Sequence, residues 1–187
     1  MTISSSQLQT ITELQAKITR LEQENRKLKR LIAIDPLTQL ANRKAFEHRL
    51  HEEWKRARRN QSVISLLVIN VDEIHTHEPR QKQQSGTALQ RLAFTLARVP
   101  RRSTDLFARS GNTEFAVILP DTPEQGARKL AELFLQQAHF SDVVLSIGVA
   151  TVVPSQNDFR QLLDSATQAL QRAQQQGGNC LEIAYFA

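Results

Sequence analysis

Apolar and polar positions recur along this chain in more than one rhythm. From residue 7 to residue 33 the period is seven: Ile11, Ile18, Asn25 and Ile32 share one position, and Leu14, Leu21 and Leu28 fall three residues later. Isoleucine at one seam position, leucine at the other and a single Asn among the isoleucines is the recipe of a parallel two-stranded coiled coil, in which the buried Asn pairs with its mate and sets register. The flanking charges agree, because Lys17 would face Glu22 of the partner and Glu24 would face Lys29. A helix this short is marginal alone, so its stability should come from pairing. The pattern predicts a dimerisation helix over residues 1–34 and a homodimer; the competing reading is an amphipathic helix packed on its own domain.

Beyond the coil the rhythm changes. Asp35-Pro36 ends the helix, since Pro disfavours helix in the residue before it and is suited to begin the next one. Phe46, Leu50 and Trp54, four residues apart, mark the buried face of a helix running to about Arg59. Residues 62–71 are almost continuously Val, Ile and Leu, which predicts a strand buried on both faces and central in its sheet. Residues 73–87 read as polar and irregular, with Pro79 and Gly86 as breakers. A helix bearing Leu89, Leu92, Phe94 and Leu96 then ends before Pro100. There follow hairpin strands at Leu106 and Ala116, a helix over 123–139 carrying Leu130, Leu133 and Phe134, a strand over 143–152, a helix over 158–176 stopped by Gly177-Gly178, and a strand over 181–186. Irregular alternation with one internal hairpin predicts an α/β fold, more strictly α+β, with helices around a mixed central sheet in one domain over 35–187.

Composition narrows the function classes. With 187 residues, 40% of them hydrophobic, the chain can bury one sizeable core plus an appendage. Cys180 is the only cysteine, and no leader-like start or run of about 18 apolar residues occurs, so a cytoplasmic protein with no membrane segment is expected. The net charge of +5 is concentrated at 26–30, 55–59 and 98–102, which favours anionic partners. Nucleic acid is disfavoured, since the chain has one Trp, one Tyr and no interleaving of arginine with aromatics. His75 and His77 lack further ligands at zinc spacing and read as solvated loop residues. Cys180, with no assignable base, reads as a small packing residue.

The stretch with most chemistry is the hairpin Gly111-Asn112-Thr113-Glu114-Phe115. Glycine and asparagine, the pair most able to take positive φ, predict a tight turn that can present backbone to a phosphate. Only Glu114 is acidic within it.

These residues resemble a known family. Asp35-Pro36-Leu37-Thr38-Gln39-Leu40-Ala41-Asn42-Arg43 is similar to the D-x-L-T-G-L-x-N-R signature that opens GGDEF domains, the diguanylate cyclases that join two GTP molecules into cyclic di-GMP. The strand at 66–72, the hairpin at 109–115, Ser146-Ile147-Gly148-Val149-Ala150 and the tail at 166–179 follow in the family's order and spacing. The resemblance spans 35–184 and implies a nucleotidyl-cyclase, polymerase-palm-like fold, often dimerised through a helical stalk.

The same resemblance implies a degenerate member. Cyclase chemistry needs a divalent metal to bridge the triphosphate and activate the attacking hydroxyl, and hard cations want carboxylate oxygens. The family's metal positions fall here on Asn70, the backbone of Val71, and Thr113, leaving Asp72 and Glu114 as nearby acids. Its guanine-reading positions fall on Glu78 and Thr87, its triphosphate-holding basic residues on Gln174 and Gly178, and its second hairpin glycine on Asn112. The expectation is therefore no catalytic residue and no enzymatic activity, with no cofactor unless Mg2+ serves a cyclase after all. What the resemblance does retain is the R-x-x-D motif of product-inhibited members, Arg102-Ser103-Thr104-Asp105, with Arg101 beside it. Arg102 can fork onto a phosphate or a guanine edge and Asp105 can accept from guanine N1 and N2. The arginine that completes this site in the family aligns with Leu133, with Arg128 and Lys129 nearby on the same helix. The expected function is a dimeric sensor of cyclic di-GMP or a module that binds another signalling protein; the alternatives are a residual cyclase and a purely structural dimeric adaptor.

Overall fold

A computed structural model describes residues 14–15, 17–20, 33–74, 85–155 and 158–185. The chain divides into two compact units, Met1–Ala33 and Ile34–Ala187. In the first, residues 14–15 and 17–20 are helical and Leu14 and Ile18, four apart, are each 55% exposed. The other seam positions, Ile11, Leu21, Asn25, Leu28 and Ile32, lie outside the described residues. Among those described, no helix is long and apolar enough to cross a membrane.

The second unit is built on a six-stranded mixed sheet. Its elements in chain order are β1 (Ala41–Asn42), α1 (Arg43–Asn60), β2 (Ile64–Ile74), α2 (Ser85–Leu96), β3 (Leu106–Arg109), β4 (Glu114–Pro120), α3 (Glu124–His139), β5 (Val143–Val152), α4 (Arg160–Gln175) and β6 (Cys180–Ala184). The strands lie in the order β1-β3-β4-β2-β5-β6. β2 pairs antiparallel with both β4 and β5, so the apolar run is central as its composition predicts. Its successive side chains go to opposite cores: Leu66 and Val68 meet Phe46, Leu50, Trp54, Ala166 and Leu170 of α1 and α4, while Leu67 and Ile69 meet Leu92, Leu96, Ala131 and Phe134 of α2 and α3. The mixed sheet flanked by helices is the α+β, palm-like sandwich expected.

α4 lies unusually close to β5. A Cβ on Gly148 would fall 2.0 Å from the Ala166 carbonyl oxygen and 2.3 Å from the Leu170 nitrogen, so this strand position admits only glycine.

Three local readings need correction. Pro36 begins a turn and not a helix: the Asp35 carboxylate accepts from the Thr38 amide and hydroxyl, both at 2.8 Å, and α1 starts only after Asn42, whose side chain caps the Ala45 amide at 3.0 Å. The two-residue strand β1, paired in parallel with β3, has too little length to leave a periodic signal. β2 continues past residue 71, because β5 is long enough to pair with it through Ile74. Phe94 and Leu133 are 65% and 46% exposed, since α2 and α3 turn other residues to the sheet.

Candidate functional site

The hairpin between β3 and β4 is held from several sides. Its last strand pair is Arg109 with Phe115, and the amides of Ser110 and Gly111 both donate to the Glu114 carbonyl at 3.0 and 3.2 Å. Neither Gly111 nor Asn112 takes positive φ, which corrects the tight-turn reading: a four-residue loop closes without the left-handed conformation that a two-residue turn demands. Gly111 is needed for another reason, since a Cβ there would come within 2.7 Å of the Glu114 carboxylate. The Val71 amide donates to the Thr113 carbonyl at 2.9 Å, tying the loop to β2. Arg109 spans the rest, donating to the Asn112 carbonyl at 2.8 Å and pairing with Asp35 at 3.2 Å. Burial acts to raise the Asp35 pKa, but the Thr38 amide and hydroxyl and the Arg109 guanidinium outweigh it and hold it below the ordinary value.

Beside the loop sits Asp72, the extra residue in a bulge where β2 shifts register against β5. Its Oδ1 accepts from the Asn70 amide at 2.8 Å and the Gln174 amide at 3.0 Å, and its Oδ2 accepts from the Ser146 hydroxyl at 2.5 Å. Asn70 in turn accepts from the Thr113 hydroxyl at 3.0 Å. Gly178, at φ 76, leaves room, because a Cβ there would lie 3.0 Å from Asp72 Oδ2. Residues separated in sequence, Asn70, Thr113, Gln174 and Gly178, thus converge on one carboxylate. Ser146 was not singled out from sequence, although it pairs directly with Asn70 across β2 and β5. Val71 contributes only its backbone, its side chain being buried. Of the guanine-reading positions, Thr87 lies exposed in the first turn of α2, and Glu78 lies outside the described residues, as do His75 and His77.

A magnesium ion requires several oxygen ligands directed at one point, with carboxylates among them. Here the Asp72 oxygens already face three donors and Asn70 Oδ1 faces Thr113. Among the described residues no three His, Cys, Asp or Glu side chains gather at one point. The donor set as arranged does not fit the ion.

The second candidate lies on the loop between α2 and β3. The Asp105 amide donates to the Arg102 carbonyl at 3.1 Å, closing the R-x-x-D segment into a turn. Burial pushes the Asp105 carboxyl above its ordinary pKa, while the charge and backbone amide of Arg102 and the Thr104 hydroxyl draw it back only partly. The Arg102 guanidinium donates to Thr122 Oγ1 at 3.0 Å and, at 3.4 Å, to the Pro120 carbonyl. Next to the loop opens a cleft of about 260 Å³ lined by Thr95, Arg98, Val99, Arg101, Leu133 and Gln137. Arg101 and Leu133 were singled out from sequence; Arg98 was not, because only the pairing of α2 with α3 brings it opposite Leu133. Arg128 is turned to Glu132 at 3.1 Å.

Cys180, at the start of β6, donates to the Ala173 carbonyl at 3.4 Å, and burial followed by the charges of Glu182 and Asp72 raises its thiol pKa. An unactivated packing thiol is the consistent reading.

A central antiparallel strand ending in a carboxylate, a hairpin alongside it and a helix on each flank define a palm-like nucleotidyl-cyclase domain. The family model described as "Diguanylate cyclase, GGDEF domain" matches residues 32–180, and the chain belongs to that family. Among curated proteins it is 28% identical over 174 residues to "Probable diguanylate cyclase DgcC" of Escherichia coli K12, covering 89% of this chain and 47% of that protein. The chain spans less than half the length of the curated relatives it matches. Among solved structures, the coiled coil and GGDEF domain of DgcB from Caulobacter crescentus in complex with c-di-GMP matches with a TM-score of 0.73 at 22% identity, over 96% of this chain and all of that one. The diguanylate cyclase SiaD of Pseudomonas aeruginosa, in complex with its activator SiaC, matches at TM-score 0.74 and 25% identity, over 96% of this chain and 72% of that one.

These findings correct one expectation. The substitutions at Asn70, Thr113, Gln174 and Gly178 predict a protein that is no enzyme, yet the family and the relatives are diguanylate cyclases, so the chain stands in an enzyme family of cyclic di-GMP signalling.

Proposed function

We propose that this chain serves cyclic di-GMP signalling by binding the dinucleotide at the loop carrying Arg101, Arg102 and Asp105. The observation that carries the reading is a basic, open cleft directly beside a turn whose carboxylate is part-buried. Asp105 offers an acceptor to the guanine N1 and N2 donors, and Arg102 exchanges two neutral partners for an anion. Those two bonds go to separate neutral acceptors at 3.0 and 3.4 Å, whereas a phosphate accepts two parallel bonds from the planar guanidinium fork. A homodimer formed through the 1–34 helix belongs to the same proposal and is supported by exposed Leu14 and Ile18 at seam spacing. A protein partner is a further element, by likeness to SiaD with its activator.

Calorimetric titration of the full chain with cyclic di-GMP tests the reading. Saturable binding that Arg102→Ala weakens at least tenfold is expected, and absence of binding at high micromolar ligand overturns it.

A second reading is diguanylate cyclase activity on GTP. Family membership favours it, together with the acids that remain at Asp72 and Glu114. Chromatographic detection of cyclic di-GMP from GTP and Mg2+, abolished by Asp72→Asn, is its expected outcome; no product over many hours at high protein concentration removes it.

A further inference from the structure

The cleft beside the R-x-x-D turn has an asymmetry that the motif does not explain. On α3 the wall is Leu133, apolar and 46% exposed, with Gln137 one turn further on. On the other side the wall is basic: Arg98 just past the end of α2, and Arg101 three residues later. The lining holds two guanidinium groups and no carboxylate. Among the described residues no hydrogen bond or ion pair engages either guanidinium.

Arg98 is nonetheless fixed in place. Its guanidinium carbon lies 4.5 Å from the centroid of the Phe94 ring, one helical turn back on α2. Stacking of this kind contributes about 0.5–1 kcal/mol at an exposed site and leaves the N–H donors at the edge of the guanidinium plane free. It also accounts for Phe94, an aromatic ring left 65% exposed on a helix whose other large apolar residues are buried. The ring serves as the platform on which a cation is held ready.

We propose that Arg98, held over Phe94, and Arg101 form a two-arginine anion clamp in this cleft, and that Arg98 supplies from within the same chain the second positive charge that position 133 lacks. The inference rests on the dinucleotide-binding reading above and names the residues that complete that site. The ligand class is a guanine dinucleotide whose phosphate is forked between the two guanidiniums. A volume of about 260 Å³ admits one base with its phosphate and leaves the rest of such a ligand outside. Arg98 thereby also sets specificity, because a flat guanidinium already stacked on one face offers its edge to a phosphate in a fixed plane.

The test is titration of cyclic di-GMP into the full chain, its Arg98→Ala, Arg101→Ala and Phe94→Leu variants, and a Gln125→Ala control at the exposed start of α3. Melting temperature verifies folding, which surface changes of this kind leave intact. Each arginine variant should weaken binding about ten- to hundredfold, the range for losing a charge-assisted bond, and Phe94→Leu about three- to fivefold. Gln125→Ala should leave binding unchanged. Leu133→Arg, which adds a third guanidinium, should tighten it. If the wild type binds while Arg98→Ala binds equally well, the clamp is refuted and the R-x-x-D reading stands. If the wild type does not bind at all, the R-x-x-D reading itself fails and the clamp falls with it. Inorganic pyrophosphate serves as a second probe: competition lost in Arg98→Ala supports phosphate as the group held, and competition unaffected by that variant refutes it.

Discussion

The contact with the widest consequences for the hairpin is the ion pair of Asp35 with Arg109, and Asp35→Asn tests it. The two side chains are only 16% and 17% exposed and meet at 3.2 Å, while Arg109 also holds the Asn112 carbonyl at 2.8 Å. Asparagine keeps an oxygen for the Thr38 amide and hydroxyl, so the substitution removes mainly the charge facing Arg109. Removing one partner of a buried pair costs about 3–5 kcal/mol. Because Arg109 retains the Asn112 carbonyl and some solvent, about 2–3 kcal/mol is the appropriate figure. For a domain of this size that lowers the melting temperature by about 4–12 °C. The pH dependence follows from the lowered Asp35 pKa. A carboxylate whose folded pKa is depressed contributes its full stability above its unfolded pKa, about 3.9, and loses it as pH falls through the folded value. The gap between wild type and variant should therefore be constant from pH 7 to about 5 and close below pH 4. Thermal melts followed by circular dichroism across that range read it directly. Equal melting temperatures at pH 7, or a gap unchanged down to pH 2, would refute the reasoning.

Three further outcomes are expected. In the wild type, millimolar Mg2+ should leave the melting temperature unchanged, whereas Asn70→Asp with Thr113→Asp should gain about 1.4 kcal/mol, or roughly 3–6 °C, at tenfold excess over the dissociation constant; a shift already present in the wild type contradicts the assignment of the site. Affinity for cyclic di-GMP should fall on acidification at a pH above the ordinary aspartate range, because the Asp105 pKa is raised and only the carboxylate accepts from guanine; titrations repeated at decreasing pH, with Asp105→Asn as the insensitive control, measure this. Gly148→Ala should cost about 3 kcal/mol or more, since the added carbon meets the α4 backbone at 2.0 Å, and a variant that unfolds in urea like the wild type would disprove that contact.

The sheet was legible from the chain because its central strand is apolar on both faces and its helices carry regular apolar stripes, as at Phe46, Leu50 and Trp54. Gly148 was legible only as part of a motif; the backbone of α4 lying against it is a tertiary fact. The hairpin was visible as a hairpin but misread as a tight turn. The residues that would favour positive φ are present, yet Arg109, Val71 and Glu114 impose a wider loop from outside. Arg98 was legible only as one residue of the basic run at 98–102. An arginine near a helix end ordinarily reads as favourable to the helix dipole, and only the approach of α3 turns it into the wall of a cleft.

The side chains around Asp72 form one connected arrangement. Asn70 both donates to Asp72 and accepts from Thr113, so its amide works only with a carboxylate on one side and a hydroxyl on the other. Gln174 needs the same carboxylate, and the absence of a side chain at Gly178 leaves that carboxylate room. Introducing a single acid, as in Asn70→Asp, would set two carboxylates against each other where the Asn70–Asp72 hydrogen bond stands, while the Thr113 hydroxyl would still donate to the new carboxylate. The change should destabilise the fold alone and become favourable only when a cation and a second acid are supplied with it. Here the donors of Asn70, Ser146 and Gln174 all point at Asp72, which joins β2, β5 and the end of α4 by charge-assisted hydrogen bonds and is linked to Thr113 of the hairpin through Asn70.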